Sequence, residues 1–65
     1  MTVKVIELIG ISEKSFEDAL NEGLQRACQT IRGVTGIDVV GQSVVVKEGK
    51  IIEYRVNLKV AFVLE

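Results

Sequence analysis

Arg55, in the segment Glu53-Tyr54-Arg55, is the side chain best equipped for recognition. A planar guanidinium can grip a phosphate or carboxylate through two parallel hydrogen bonds, and a salt bridge between subunits is the plainer use of the same group. Asp38, Gln42, Glu53 and Asn57 carry oxygens that a hard cation such as Ca²⁺ accepts. Their spacing forms no EF-hand loop, so an ion-paired or solvated sheet face is the simpler account. The pairs Glu17 with Asp18 and Glu48 with Glu53 could exchange protons, but solvated surface charge accounts for them as well. The chain has no histidine for acid-base work and no nucleophile elbow, and Gly33, Gly36 and Gly41 do not follow a phosphate-binding spacing. Catalysis has no residue to rest on, and a non-enzymatic binding protein is expected. The lone Cys28 on an apolar helix face is expected to be a small buried core residue. With one thiol and no histidine, an internal disulfide cannot form and a structural zinc site is not expected.

The elements that would position these groups follow from periodicity. Residues 2–9, rich in valine and isoleucine, predict a strand ending at Gly10. Val3, Val5 and Ile9 point one way and Ile6 and Leu8 the other, as expected for a strand covered on both sides. Ser12 is the expected N-cap of a helix over about residues 13–32. Its apolar stripe is Phe16, Ala19, Leu20, Gly23, Leu24, Ala27, Cys28 and Ile31, and Gly33 stands as C-cap. Gly23 within the stripe predicts close approach of helix to sheet. Residues 37–47 and 51–64 predict two antiparallel strands joined at Glu48-Gly49-Lys50. In the last strand Ile52, Tyr54, Val56, Leu58, Val60, Phe62 and Leu64 form one apolar face, and Glu53, Arg55, Asn57 and Lys59 the opposite one. The fold class is α+β in β-α-β-β order: one domain over residues 1–65, a three-stranded antiparallel sheet around one amphipathic helix.

Length makes this domain incomplete by itself. A 14-residue strand spans about 46 Å, whereas a 20-residue helix spans about 30 Å. One end of the apolar face, around Phe62 to Leu64 or Val44 to Val46, is left bare. With 65 residues, 48% of them hydrophobic, and no disulfide or zinc to help, the chain is expected to bury that surface against copies of itself. A formal net charge of −1, from 8 basic and 9 acidic side chains spread along the chain, gives no footprint for nucleic acid or an anionic membrane. Neither is expected as a partner. No run is apolar enough to span a bilayer and the N-terminus lacks a signal-peptide pattern, so a cytoplasmic location is the default.

The N-terminal VKVIELIGIS, the helical SFEDALNEGLQRACQTI with Arg26, Ala27 and Thr30, and the terminal EYRVNLKVAFVLE with Val60, Phe62 and Leu64 occur in an order that resembles the dodecin family over essentially the whole chain. The resemblance implies a hollow homododecamer. Many dodecins bind flavins such as FMN or riboflavin, with the ring stacked on a tryptophan. Here that position is Gly36. The family's ring-binding glutamine corresponds to Arg55, and the aspartate after the tryptophan to Gly41. A dodecin-like subgroup that lacks the tryptophan and carries Tyr-Arg, as Tyr54-Arg55 here, has been described as calcium-binding.

The first expectation is therefore a storage or buffering cage with a small-molecule or ion ligand. Its site would lie on the polar sheet face near Gly36, Asp38, Gly41, Gln42 and Arg55, with Arg55 favouring an anion. The second is a divalent-cation binder in which carboxylates from several subunits converge on an axis. Retained flavin binding and a purely structural assembly are the remaining readings.

Overall fold

The structure is a computed structural model that describes residues 1–64. It contains β1 (Thr2–Ser12), α1 (Phe16–Thr30), β2 (Val34–Lys47) and β3 (Lys50–Leu64). The strands form one antiparallel sheet in the order β1-β3-β2, so the expected α+β architecture is what the chain adopts. β3 takes the centre because it is the strand with an unbroken apolar face. Val56, Leu58 and Val60 on that face are almost fully buried beneath α1, whose buried stripe is Ala19, Gly23 and Ala27. Ile6, Leu8, Phe16, Leu20, Ile31, Val34 and Ile37 close the rim of this core.

Small residues set the distance between helix and sheet. A Cβ built on Gly10 would stand 2.0 Å from the Ala19 carbonyl oxygen, and one on Gly23 would stand 2.6 Å from Leu58 Cδ1. Glycine at both positions lets the α1 backbone lie directly on β1, which is the close approach that Gly23 predicted.

Four sequence expectations need correction. β1 does not stop at Gly10. It continues in register through Gly10↔Val56 and Ser12↔Tyr54, because the long β3 offers a ladder partner to every one of these residues. Helix α1 is consequently shorter than residues 13–32, and its N-cap is Ser15, whose side chain accepts from the Asp18 N–H. Ser12 instead closes the strand, its hydroxyl donating to Asp18 Oδ2 at 2.6 Å and accepting from the Lys14 N–H at 2.9 Å. The C-cap is Ile31, and Gly33 forms the following turn at φ +76°, where its carbonyl accepts from the Val63 N–H. Cys28 is exposed, not buried. It follows Ala27 by one residue, about 100° round the helix, which carries it off the narrow Ala19-Gly23-Ala27 stripe.

The length mismatch is larger than expected. Fifteen helical residues span about 22 Å, against a molecule 48 Å long. Phe16, at the helix start, packs edge-on against Tyr54 with ring centroids 5.1 Å apart. Beyond this contact the β2–β3 hairpin runs on without cover. It ends in a two-residue turn with Glu48 and Gly49 at φ +53° and +76°, the twist that tight hairpins require.

Candidate functional site

The face of the sheet turned away from α1 carries the polar groups. In an antiparallel ladder, directly opposed residues share a face, so the register reads this surface row by row. From one end it runs Val5-Ala61-Gly36, then Glu7-Lys59-Asp38, then Ile9-Asn57-Gly41, then Ile11-Arg55-Ser43, in the order β1, β3, β2. Four of the five expected site residues, Gly36, Asp38, Gly41 and Arg55, are thus brought onto one surface.

Gln42 falls on the opposite side. Alternation counted from Asp38 puts it with Asp38, but the register shifts between Val39 and Gly41, and the extra residue at Val40 reverses the alternation. Gln42 therefore opposes Val56 on the helix side. The same bulge is what returns Gly41 to the face of Gly36. Nothing in the local sequence marks Val40 as bulged, since two valines in succession read equally well as regular strand. Lys59 and Glu7 were not among the expected site residues, although Lys59 has the same parity as Arg55 and could have been found from it.

The charges on this face are partly matched within the chain. Arg55 Nε donates to Glu53 Oε2 at 2.7 Å, and Lys59 Nζ lies 4.0 Å from Glu7 Oε1. Asp38 opposes Lys59 in the ladder but makes no salt bridge among the described residues. Also among the described residues, no three His, Cys, Asp or Glu side chains come together in a way that could hold a metal ion. One chain offers single carboxylates, so a full coordination shell requires several copies.

Two openings flank the polar rows. A cavity of about 290 Å³ lies at the bulge, lined by Glu7, Leu8, Ile9, Val40, Asn57 and Leu58. A second, of about 370 Å³, runs between α1 and β2 past Leu20, Leu24, Val34, Gly36 and Ile37. A Cβ added at Gly36 or Gly41 would meet nothing within 4 Å, and neither glycine has positive φ. Both positions accept a larger side chain without strain. Across β3 from them on the same face, the β1 side chains Val3, Val5, Ile9 and Ile11 are each about half exposed.

The family model described as Dodecin matches residues 2–65. The curated calcium dodecin of Mycobacterium tuberculosis is 37% identical over 59 residues, covering 91% of this chain and 83% of that protein. The dodecin of Thermus thermophilus is 37% identical over 62 residues, covering 95% and 90%. Among solved structures, the dodecin from Streptomyces coelicolor superposes with a TM-score of 0.95 at 30% identity, covering 98% of this chain and 91% of that one. The M. tuberculosis calcium dodecin, described as having a novel calcium-binding site, gives 0.88 at 36% identity, covering 100% and 93%.

Proposed function

Because the chain belongs to the dodecin family, we propose that it is a non-enzymatic homododecamer that binds and buffers a small ligand, with a degenerate flavin site at Gly36, Gly41 and Arg55. The observation that carries this reading is the sheet face opposite the helix. It combines half-exposed apolar side chains on β1 with Asp38, Lys59 and Arg55 and two unobstructed glycines. A single subunit leaves that surface in water, whereas packing against copies would convert it into walled sites. Gly36 removes the platform on which a flat ring would stack and leaves volume in its place. Arg55 then favours an anionic ligand over a neutral ring, although its pairing with Glu53 shares out part of that charge.

Native mass spectrometry of protein purified without chelator is the direct test. Twelve subunits with retained anionic organic mass support the reading, twelve with flavin masses would overturn the degenerate-site part, and a monomer would overturn the whole. Arg55→Ala is expected to weaken binding of any such retained anion at least about tenfold, roughly the worth of one charge-assisted hydrogen bond. Stability should fall by under about 1 kcal/mol, since the Glu53 pair is solvated. Unchanged affinity would remove Arg55 from the site.

A second reading, a divalent-cation binder, is favoured by the gathering of Glu7, Asp38 and Glu53 on one face with no complete cluster in a single chain. Symmetry would multiply one carboxylate into a shell. The relative named calcium dodecin supports it. Calcium at about a hundred times its dissociation constant is expected to add about 2.7 kcal/mol to the native state, which raises Tm by several degrees. Identical melting in EDTA and in millimolar calcium would remove this reading.

A further inference from the structure

Arg55 and Glu53 make the tighter of the two charged contacts on the open face. Arg55 Nε donates to Glu53 Oε2 at 2.7 Å, and the two side chains are 42% and 27% exposed. Lys59 and Glu7 stand 4.0 Å apart, with Glu7 76% exposed. The difference has a local cause. Residues two apart on β3 share a face, and β1 ends at Ser12 opposite Tyr54, so Glu53 has no β1 neighbour in the ladder and its β2 neighbour is the apolar Val45. Among the described residues Arg55 is the ion-pair partner of this carboxylate, and no other cation reaches it.

A guanidinium carries its N–H donors in one rigid plane, one on Nε and two on each terminal nitrogen. Glu53 takes the first. The edge that pairs Nε with a terminal nitrogen is thereby occupied, and the edge between the two terminal nitrogens is left for recognition. That edge offers two parallel N–H groups, which match two oxygens of one carboxylate or phosphate but not a single-atom anion. Further donors stand close by in the ladder. Ser43 is opposite Arg55, and Asn57 occupies the next row beside Gly41, where an added Cβ would meet nothing within 4 Å. The Arg55–Glu53 pair is neutral as a unit. Its surroundings are not, because the register shift at Ile52 puts Lys47 and Lys50 on this same face in the next row towards the turn, with Glu48 to offset one of them.

We propose that Glu53 is a positioning residue for Arg55. By holding Nε it fixes the plane of the guanidinium, so that the site takes the oxyanion end of a ligand, a carboxylate or a phosphate, through two parallel hydrogen bonds and passes over chloride. The proposal rests on the anion-binding reading of Arg55 above and adds to it the residue that sets the selectivity.

The sign of one effect tests it. If Glu53 acted through its charge alone, removing a carboxylate beside a cation would strengthen the binding of every anion. Acting by position, Glu53→Ala is expected to weaken the binding of inorganic phosphate and of acetate by about tenfold, the loss of one of two hydrogen bonds to a charged group, while chloride binding does not fall. Glu53→Gln keeps an oxygen to accept from Nε and drops the charge, so it should bind phosphate and acetate at least as tightly as the natural protein. NMR line broadening of the three anions, titrated with protein whose circular dichroism is unchanged, reads these affinities. Whichever of phosphate and acetate binds more tightly identifies the anionic end of the ligand. Unchanged or tighter phosphate and acetate binding by Glu53→Ala, or an equal loss in Glu53→Gln, overturns the proposal. Arg55→Ala separates this failure from that of the reading beneath it. If Arg55→Ala loses phosphate and acetate binding and Glu53→Ala does not, Glu53 alone is struck; if Arg55→Ala binds both as the natural protein does, or the natural protein binds neither, the anion site itself falls.

Discussion

Gly10→Ala is expected to cost this protein about 3 kcal/mol or more, the upper end of what overpacking does. The added methyl would lie 2.0 Å from the Ala19 carbonyl oxygen, 3.0 Å from its carbon and 3.2 Å from the Gly23 nitrogen. All three are helix backbone, so no side-chain rotation relieves the clash. Helix α1 must lift from β1 by more than an ångström, and the lift loosens its hold on Val56, Leu58 and Val60. Domains of this size have few kilocalories to lose. Urea unfolding should show a much lower midpoint, or no folded soluble protein should be recovered. Gly23→Ala meets the movable end of Leu58 at 2.6 Å and should cost less. Gly36→Ala, with open space around it, should be neutral or slightly stabilising, because alanine loses less backbone freedom than glycine. If Gly10→Ala unfolds at the same midpoint as Gly36→Ala, the close approach of helix to sheet is wrong.

Gly36→Trp, combined with Gly41→Asp and Arg55→Gln, is expected to raise the affinity of this protein for flavin, given the degenerate site proposed above. The three changes install the groups that the dodecin resemblance implies at these positions. The structure raises no steric objection, since a side chain at Gly36 or Gly41 grows into free space from ordinary backbone. Ala61, opposite Gly36, is small enough to leave room for an indole beside it. One added stacking contact is worth about 0.5–1.5 kcal/mol, so affinity for riboflavin should rise by about twofold to tenfold from the stacking alone. Quenching of riboflavin fluorescence on titration with protein reads this directly. Equal affinity in the two proteins, or tight binding by the natural one, would show that Gly36 is not what degrades the site.

Gly23 and Gly10 mark the limit of what can be read in advance. Gly23 announced close packing because it interrupts an apolar helical stripe, where a residue that weakens the helix needs a reason. Gly10 carried the same role unseen, since a glycine after a strand reads first as the strand's end. Ser12 was misplaced for the same cause. A serine before an acidic helical segment is a good N-cap, but here the β3 ladder claims it and Ser15 takes the cap. Cys28 has the spacing of a core residue, but only the small residues Ala19, Gly23 and Ala27 of the helix are fully buried against the sheet, and Cys28 lies off their line.

Fold class, element order and the excess of apolar surface over what one short helix can cover were determined by the sequence alone. Each depends on periodicity, chain length and composition, which are local or additive. Tertiary structure decided that β3 takes the centre of the sheet, where β1 ends, and which side chains share the open face. Those depend on strand register, and one extra residue at Val40 exchanges the faces of everything after it, placing Gly41 beside Gly36 and sending Gln42 to the far side. A bulge of this kind arises from the fit between two strands, so neither strand's own sequence contains it.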